Sequence, residues 1–87
     1  MNNFTDMLSK AKAMQDKMKD AQEQIKKIEV EGLAGGNLVK VVLTGDYEIK
    51  SITLSDEAKK ESQDIIIDLI KAAYNNAKNN LKKKSAE

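Results

Sequence analysis

The first third of the chain has the polarity pattern of one long helix. Apolar residues recur at alternating steps of three and four from Phe4 to Ile28, which places them on one helical face. This face occupies only two positions in every seven, a width typical of a helix–helix seam. We therefore predict a helix over residues 4–27 and assign Met14 and Met18 to a dimer interface. Because methionine also adapts to varied partners, a promiscuous binding groove is the alternative interpretation.

The middle of the chain alternates apolar and polar residues with a period of two, which indicates β-strands. We predict an antiparallel sheet that the two long helices cover, with strands over residues 28–32, 37–45 and 47–54.

Two connections are predicted between these strands. Glycine-rich residues 32–37 form the first turn, and Gly45-Asp46 forms a two-residue hairpin turn before the last strand. The apolar positions of that last strand change parity, which predicts a bulge near Lys50-Ser51.

The last third of the chain predicts a short helical turn and then a long helix over residues 62–82. Ser55 and Ser62 each precede acidic residues and are candidate N-caps for these elements. Residues 65–77 are apolar nearly all round, which is more apolar surface than one face of a small sheet covers. We expect a second copy of the chain to cover the excess, and assign to the dimer interface Ile66, Ile70, Ala73 and Tyr74. The predicted fold is a single α+β domain over residues 1–87 that forms a homodimer.

The amino-acid composition excludes most kinds of catalytic site. The chain contains no cysteine and no histidine, which excludes disulfides, Cys/His zinc sites and Cys-His or Ser-His catalysis. The glycines of residues 32–36 match no phosphate-binding motif, and Glu29 and Glu31 are more typical of a solvated strand face than of a cation site. We predict a protein that is not an enzyme, with no catalytic residue, metal, cofactor or small-molecule substrate. No stretch is long and apolar enough to span a bilayer and none has the pattern of a leader, so the expectation is a cytoplasmic protein without a membrane partner.

The basic residues are unevenly placed along a chain whose net charge is only +1. Residues 69–87 carry five lysines and one acid, for a net +4, and the first helix carries lysines at regular intervals. All 15 basic residues are lysines, so the bidentate arginine contacts that read guanine are absent. The candidate phosphate-binding residues are Lys10, Lys12, Lys17, Lys19, Lys71, Lys78, Lys82, Lys83 and Lys84.

Each lysine group also has a purely structural interpretation. Lysines at the end of a helix complement its macrodipole, which accounts for the polarised last helix without any ligand. On the first helix, Lys12 with Asp16 and Lys19 with Glu23 are four residues apart, so local pairing would leave a neutral solvated face.

Several segments together resemble the YbaB/EbfC family of bacterial nucleoid-associated proteins. The segments are AKAMQDKM at residues 11–18, IEVEG at 28–32, GGNLVKV at 35–41, Gly45, and DLIKAAYNNA at 68–77. The resemblance extends over roughly residues 7–81. It implies a small α+β homodimer with protruding helices, found in the cytoplasm and nucleoid, that binds double-stranded DNA with little or modest sequence preference.

The functional hypothesis follows from this resemblance, and the lysine pattern is compatible with it. We expect a nucleoid-associated protein that binds double-stranded DNA through lysine–phosphate contacts and has an architectural or regulatory role. The alternative is a homodimeric protein-interaction module without a direct role on DNA.

Overall fold

Two long helices flank a three-stranded sheet in the computed structural model, which describes residues 2–86 and the side chains of residues 3–85. The elements in chain order are α1 (Asn2–Lys27), β1 (Glu29–Ala34), β2 (Val39–Thr44), β3 (Ile49–Leu54), α2 (Asp56–Lys59) and α3 (Gln63–Ala86). The strands pair antiparallel in the order β1-β2-β3. This architecture confirms the predicted α+β fold.

The core lies between one face of the sheet and α3. Every second residue of β1 and β2 is buried, and these side chains meet the buried residues of α3. The buried apolar residues are Val30, Ala34, Val39, Val41, Leu43, Ala58, Ala73, Ala77 and Leu81. The core is small because α3 packs on β1 and β2 while β3 extends beyond the helix.

α1 projects from this body as an arm. All of its described side chains, residues 3–27, are exposed, so the prediction that both long helices cover the sheet is wrong. The chain measures 71 × 22 × 16 Å with a radius of gyration of 19.8 Å, whereas a compact domain of this length has a radius of gyration of about 12 Å. Because the apolar face of α1 is narrow, it buries little against a broad sheet and is left without a partner in the single chain.

β1 is longer than its polarity pattern predicts, and Gly32 explains the difference. The strand continues through Ala34, so Gly32 lies inside it and the first turn begins at Gly35. A Cβ atom at position 32 would lie 2.2 Å from the carbonyl oxygen of Ala73 and 2.3 Å from the amide nitrogen of Ala77. Gly32 therefore allows α3 to pack closely against the strand and does not form a turn.

The β2–β3 connection departs from the predicted two-residue turn. It spans residues 45–48 and includes Tyr47 at a φ of 64°. The Tyr47 N–H donates to the Thr44 carbonyl at 3.0 Å, and the Thr44 N–H donates to the Glu48 carbonyl at 2.9 Å. These backbone bonds close the longer turn, so β3 starts at Ile49.

The bulge in β3 is confirmed. Val42 pairs with Ser51, whereas the next residue, Leu43, pairs with Ile49, so Lys50 is the extra residue. The bulge restores Ile49 to the same sheet face as the later apolar residues of the strand.

Both predicted N-caps are also confirmed. The Ser55 hydroxyl oxygen accepts the Ala58 N–H at 3.1 Å, and the Ser62 hydroxyl oxygen accepts the Ile65 N–H at 3.3 Å. These bonds satisfy amide groups that have no partner within the first turn of a helix.

Candidate nucleic-acid interface

The side chains of the arm α1 form an apolar face and a polar side that carries two rows of lysines together with acidic residues. The apolar face runs from Phe4 to Ile25. Helical spacing places Lys12, Lys19 and Lys26 along one side of this face, and Lys10 and Lys17 along the other. The acidic residues share the polar side of the helix with lysines, at Asp6, Asp16, Asp20 and Glu23. The arm therefore carries two rows of lysines, of which Lys10 and Lys17 lie beside the apolar face and Lys12, Lys19 and Lys26 lie beside carboxylates on the polar side.

The lysines of α3 lie away from the sheet. Lys71, Lys78 and Lys82 recur at steps of seven and four residues, which places them on one side of the helix. Leu81 is the last buried residue of α3, so Lys82, Lys83 and Lys84 lie where the helix continues past its core contacts. The C-terminal part of α3 is a second basic surface.

The ion pairs divide the lysines into two groups. Lys40 lies 3.8 Å from Glu31, Lys50 contacts Glu29, and Lys59 lies 4.0 Å from Asp56. These three pairs belong to the sheet and α2.

Within the described residues, by contrast, no lysine of α1 or α3 has a carboxylate oxygen within 4.0 Å of its amine. The local pairs that helical spacing allows on α1, between Lys12 and Asp16 and between Lys19 and Glu23, are not formed. Among the described side chains, therefore, none of the nine candidate lysines is ion-paired.

The candidate interface residues of α1 are accessible. Met14 and Met18 are 65% and 62% exposed, as expected of a seam whose partner is not in the same chain. Nothing in the single chain covers them.

The candidate interface residues of α3 divide into two groups. Ala73 is fully buried beneath its own sheet, so its side chain belongs to the core and has no surface for a second copy. Ile66, Ile70 and Tyr74 are half-buried, and Ile70 and Tyr74 pack against the core. Ile70 and Tyr74 line an open groove between α3 and the start of β3, together with Ile49.

Two side chains of α3 bond to the backbone at the β1 edge of the sheet. At β1, the Asn76 side-chain oxygen accepts the Leu33 N–H at 3.0 Å, and the Asn80 side-chain amide donates to the Glu31 carbonyl at 2.8 Å. These asparagines, one helical turn apart, cover the backbone of that edge. Sequence analysis missed this role, although two asparagines spaced by four on the predicted last helix were a visible signal.

Asp46, in the β2–β3 turn, has an altered acidity. The Thr44 hydroxyl donates to it, and backbone N–H groups of the turn and the charge of Lys26 add to the effect. These contacts lower the pKa of Asp46 below its ordinary value, although partial desolvation opposes them. The turn is thus held by a local side-chain bond next to the end of α1.

Two other kinds of site are absent from the part of the chain that the structure describes. No group of three or more acidic side chains there is placed to hold a metal ion. None of the helices in residues 2–86 combines the length and apolarity needed to cross a bilayer.

Comparison with known proteins identifies the family. Residues 1–87 match the model of the YbaB/EbfC DNA-binding family. A nucleoid-associated protein of Rickettsia felis is 44% identical over 79 residues, which cover 90% of this chain and 74% of that protein. A nucleoid-associated protein of Coxiella burnetii is 39% identical over 85 residues, covering 98% of this chain and 77% of its relative. The resemblance seen in the sequence is confirmed: the chain belongs to the YbaB/EbfC DNA-binding family.

Proposed function

We propose that this chain is a homodimeric nucleoid-associated protein that binds double-stranded DNA through lysine–phosphate contacts, with little sequence preference and an architectural or regulatory role in the nucleoid. The observation that carries the proposal is the division of the lysines. Those on α1 and α3 are free of ion pairs in the described chain, whereas Lys40, Lys50 and Lys59 are paired. Free amines on exposed helices neutralise phosphates and release counterions, which supplies most of the affinity of non-specific DNA binding.

The absence of arginine supports the low sequence preference. Lysine is a flexible point charge, whereas arginine binds guanine edges with two parallel hydrogen bonds. Sequence-specific regulators bind their own site at least roughly a thousandfold more tightly than other DNA. We expect the affinities of this protein for unrelated duplexes to differ by less than that ratio. Competition between unrelated duplexes measures this ratio, and a preference above that level for one short sequence contradicts the proposal.

The second copy in this proposal covers the groove between β3 and α3. Ile49 lines this groove, and Ile49 and Ile52 of β3 and Ile67 of α3 are 49%, 43% and 41% exposed. Covering half of each side chain contributes about 1 kcal/mol, since full burial contributes roughly 1.5–3 kcal/mol. A two-fold contact repeats these residues, so they supply about 6 kcal/mol before the cost of association.

The β3 edge also favours this occupant, because the other edge of the sheet is already covered by asparagines of α3. In the same dimer, a helix of the partner covers the seam that contains Met14 and Met18.

The dimer has a matched pair of test variants on neighbouring residues of β3. Ile52 pairs with Val41 on the core-side face, whereas Thr53 pairs with Lys40 on the opposite face. Ile52→Glu places a charge in the proposed contact and should give a monomer, while Thr53→Glu should remain a dimer. Sedimentation equilibrium at micromolar concentration should give twice 9.7 kDa for the parent. A folded parent monomer, or a dimeric Ile52→Glu variant, contradicts this part of the proposal.

The lysine contacts are tested by two quadruple variants of equal charge change. In the first variant glutamine replaces the lysines at the end of α3, which are Lys78, Lys82, Lys83 and Lys84. In the control it replaces the lysines of the sheet, of α2 and of the α2 C-cap, which are Lys40, Lys50, Lys59 and Lys60. The first should weaken binding to every duplex alike and flatten the plot of log affinity against log salt, by about one unit for each phosphate that is no longer neutralised. The control should keep most of the parent's slope. Equal slopes for the two variants contradict the assignment and favour the helix-dipole explanation of these charges.

A protein-interaction module is the second candidate, and the exposed tip of α1 favours it. Phe4, Met7 and Leu8 are 57–69% exposed, which is a large apolar surface for the end of an arm. An electrophoretic mobility shift over a salt series separates the two candidates. Salt-sensitive retardation of any duplex supports DNA binding, and no retardation at low salt supports the interaction module.

A further inference from the structure

The arm is tied to the body next to a glycine in the β2–β3 turn. The carbonyl oxygen of Ile25, in the last turn of α1, accepts the N–H of Ile28 and the N–H of Gly45, each at 3.1 Å. The Ile28 bond uses one lone pair of this carbonyl oxygen, and the Gly45 bond uses the other. This bond fastens the base of the arm directly to the backbone of the sheet.

Position 45 requires glycine because there is no space for a side chain. Its φ lies outside the left-handed region, so other residues adopt its conformation. A Cβ atom there would stand 2.2 Å from the Ile25 carbonyl oxygen and 3.0 Å from the Ile25 Cγ2 atom, whereas ordinary contacts begin at 3.4 Å. Any side chain would therefore push the base of α1 away from the turn by about 1 Å or more.

We propose that Gly45 is a positioning residue that sets the direction of α1, and with it the separation of the two basic arms in the dimer. This inference rests on the proposed function. The arm is a lever: Lys10 lies 15 residues from Ile25, or about 22 Å along the helix. A tilt of about 10° at the base moves the backbone at Lys10 by roughly 4 Å, more than the length of a hydrogen bond.

The direction of α1 is tested directly by measuring the distance between the arm and the sheet. The chain has no cysteine, so Gln15→Cys on α1 and Ser51→Cys on β3 accept a pair of nitroxide labels. Labelled chains are diluted with unlabelled chains so that double electron–electron resonance measures the distance between the two labels of one chain. Gly45→Ala should shift or broaden the distribution by several ångströms.

Gly36→Asn is the control, since a Cβ atom at this turn glycine meets nothing within 4 Å and asparagine tolerates its left-handed φ of 73°. It should leave the distance distribution unchanged. A folded Gly45→Ala variant with the parent's distribution overturns the proposal.

DNA binding is measured on the same variants. Gly45→Ala should lower affinity for any duplex at least tenfold while far-ultraviolet circular dichroism and the oligomeric state stay as in the parent. A shifted arm with the parent's affinity overturns the role of Gly45 in DNA binding. If the parent itself does not bind DNA, the proposed function fails, and the distance measurement still decides whether Gly45 sets the arm.

A measurement on the unmodified protein covers the case in which Gly45→Ala does not fold. The Gly45 amide should exchange its hydrogen with solvent as slowly as amides of the sheet, because it donates to Ile25. Exchange at the rate of an unprotected amide overturns the proposal without any variant.

Discussion

Replacing Gly32 with alanine should lift α3 from the sheet, because the new Cβ atom has no space. It would lie 2.2 Å from the Ala73 carbonyl oxygen, 2.3 Å from the Ala77 amide nitrogen and 2.6 Å from the Ala77 Cβ atom. Two of these three atoms belong to the helix backbone, so no rotation of a side chain relieves the contact. The whole helix must move away from β1.

The expected loss of stability combines overpacking with weakened hydrogen bonds. Overpacking a core typically costs about 1–3 kcal/mol. The two asparagine bonds that join α3 to β1 contribute about 0.5–1.5 kcal/mol each, and they lengthen when the helix moves. The sum is roughly 2–6 kcal/mol, a large part of the about 5–15 kcal/mol by which domains are stable.

Urea denaturation followed by circular dichroism measures this loss. With a slope of about 1.5 kcal/mol per molar urea, a loss of about 3 kcal/mol lowers the unfolding midpoint by about 2 M. All variants are compared at one protein concentration, because dimerisation contributes to stability. Gly36→Asn is the control, since position 36 is open and asparagine tolerates its left-handed φ of 73°. A midpoint for Gly32→Ala within about 0.3 M of the parent refutes the packing argument.

Three smaller effects are also expected. Replacing Asn76 and Asn80 together with alanine should cost about 1–3 kcal/mol in urea denaturation and promote association through the uncovered β1 edge, visible by light scattering. Ser55→Ala should cost about 1 kcal/mol by removing the cap of α2, and Ser55→Gly less than half of that. Thr44→Val should raise the pKa of Asp46, followed by carboxyl NMR; in the parent, the lowered pKa stabilises the fold above the ordinary value of 3.8, and this contribution disappears as the pH falls through the folded-state pKa.

The elements of the fold were predictable because their periodicities differ. A change from steps of three and four to steps of two separates α1 from the strands, and the parity change in β3 located the bulge at Lys50. Ser55 and Ser62 were recognisable as caps because their hydroxyls act locally. Such signals lie within a few residues of the structure that they determine.

The features missed by sequence analysis depend on contacts between distant segments. Gly32 looked like a turn residue because nothing in the local sequence shows that α3 approaches it. Ala73 looked like an interface residue on a helix that is apolar all round, although its own sheet buries it. The position of α1 was also missed, because an apolar seam does not specify whether its partner belongs to the same chain.

The same division applies to the candidate nucleic-acid interface. The nine candidate lysines were chosen from sequence spacing alone, but only the folded chain shows that none of them is ion-paired within the described residues. Lys12 and Asp16 have the spacing of a helical pair without forming one. The sequence was therefore enough to propose the lysines as candidates. The ion pairs of the folded chain were needed to separate them from the paired lysines of the sheet.

The central claim is that DNA contacts the free lysines of the two long helices. It is tested most directly by NMR titration of the ¹⁵N-labelled parent protein with a short duplex at low salt. Amide signals should shift along residues 10–19 and 71–84, those of β1 and β2 should stay in place, and added salt should reverse the changes. Shifts confined to the strands, or shifts that persist at high salt, would contradict it.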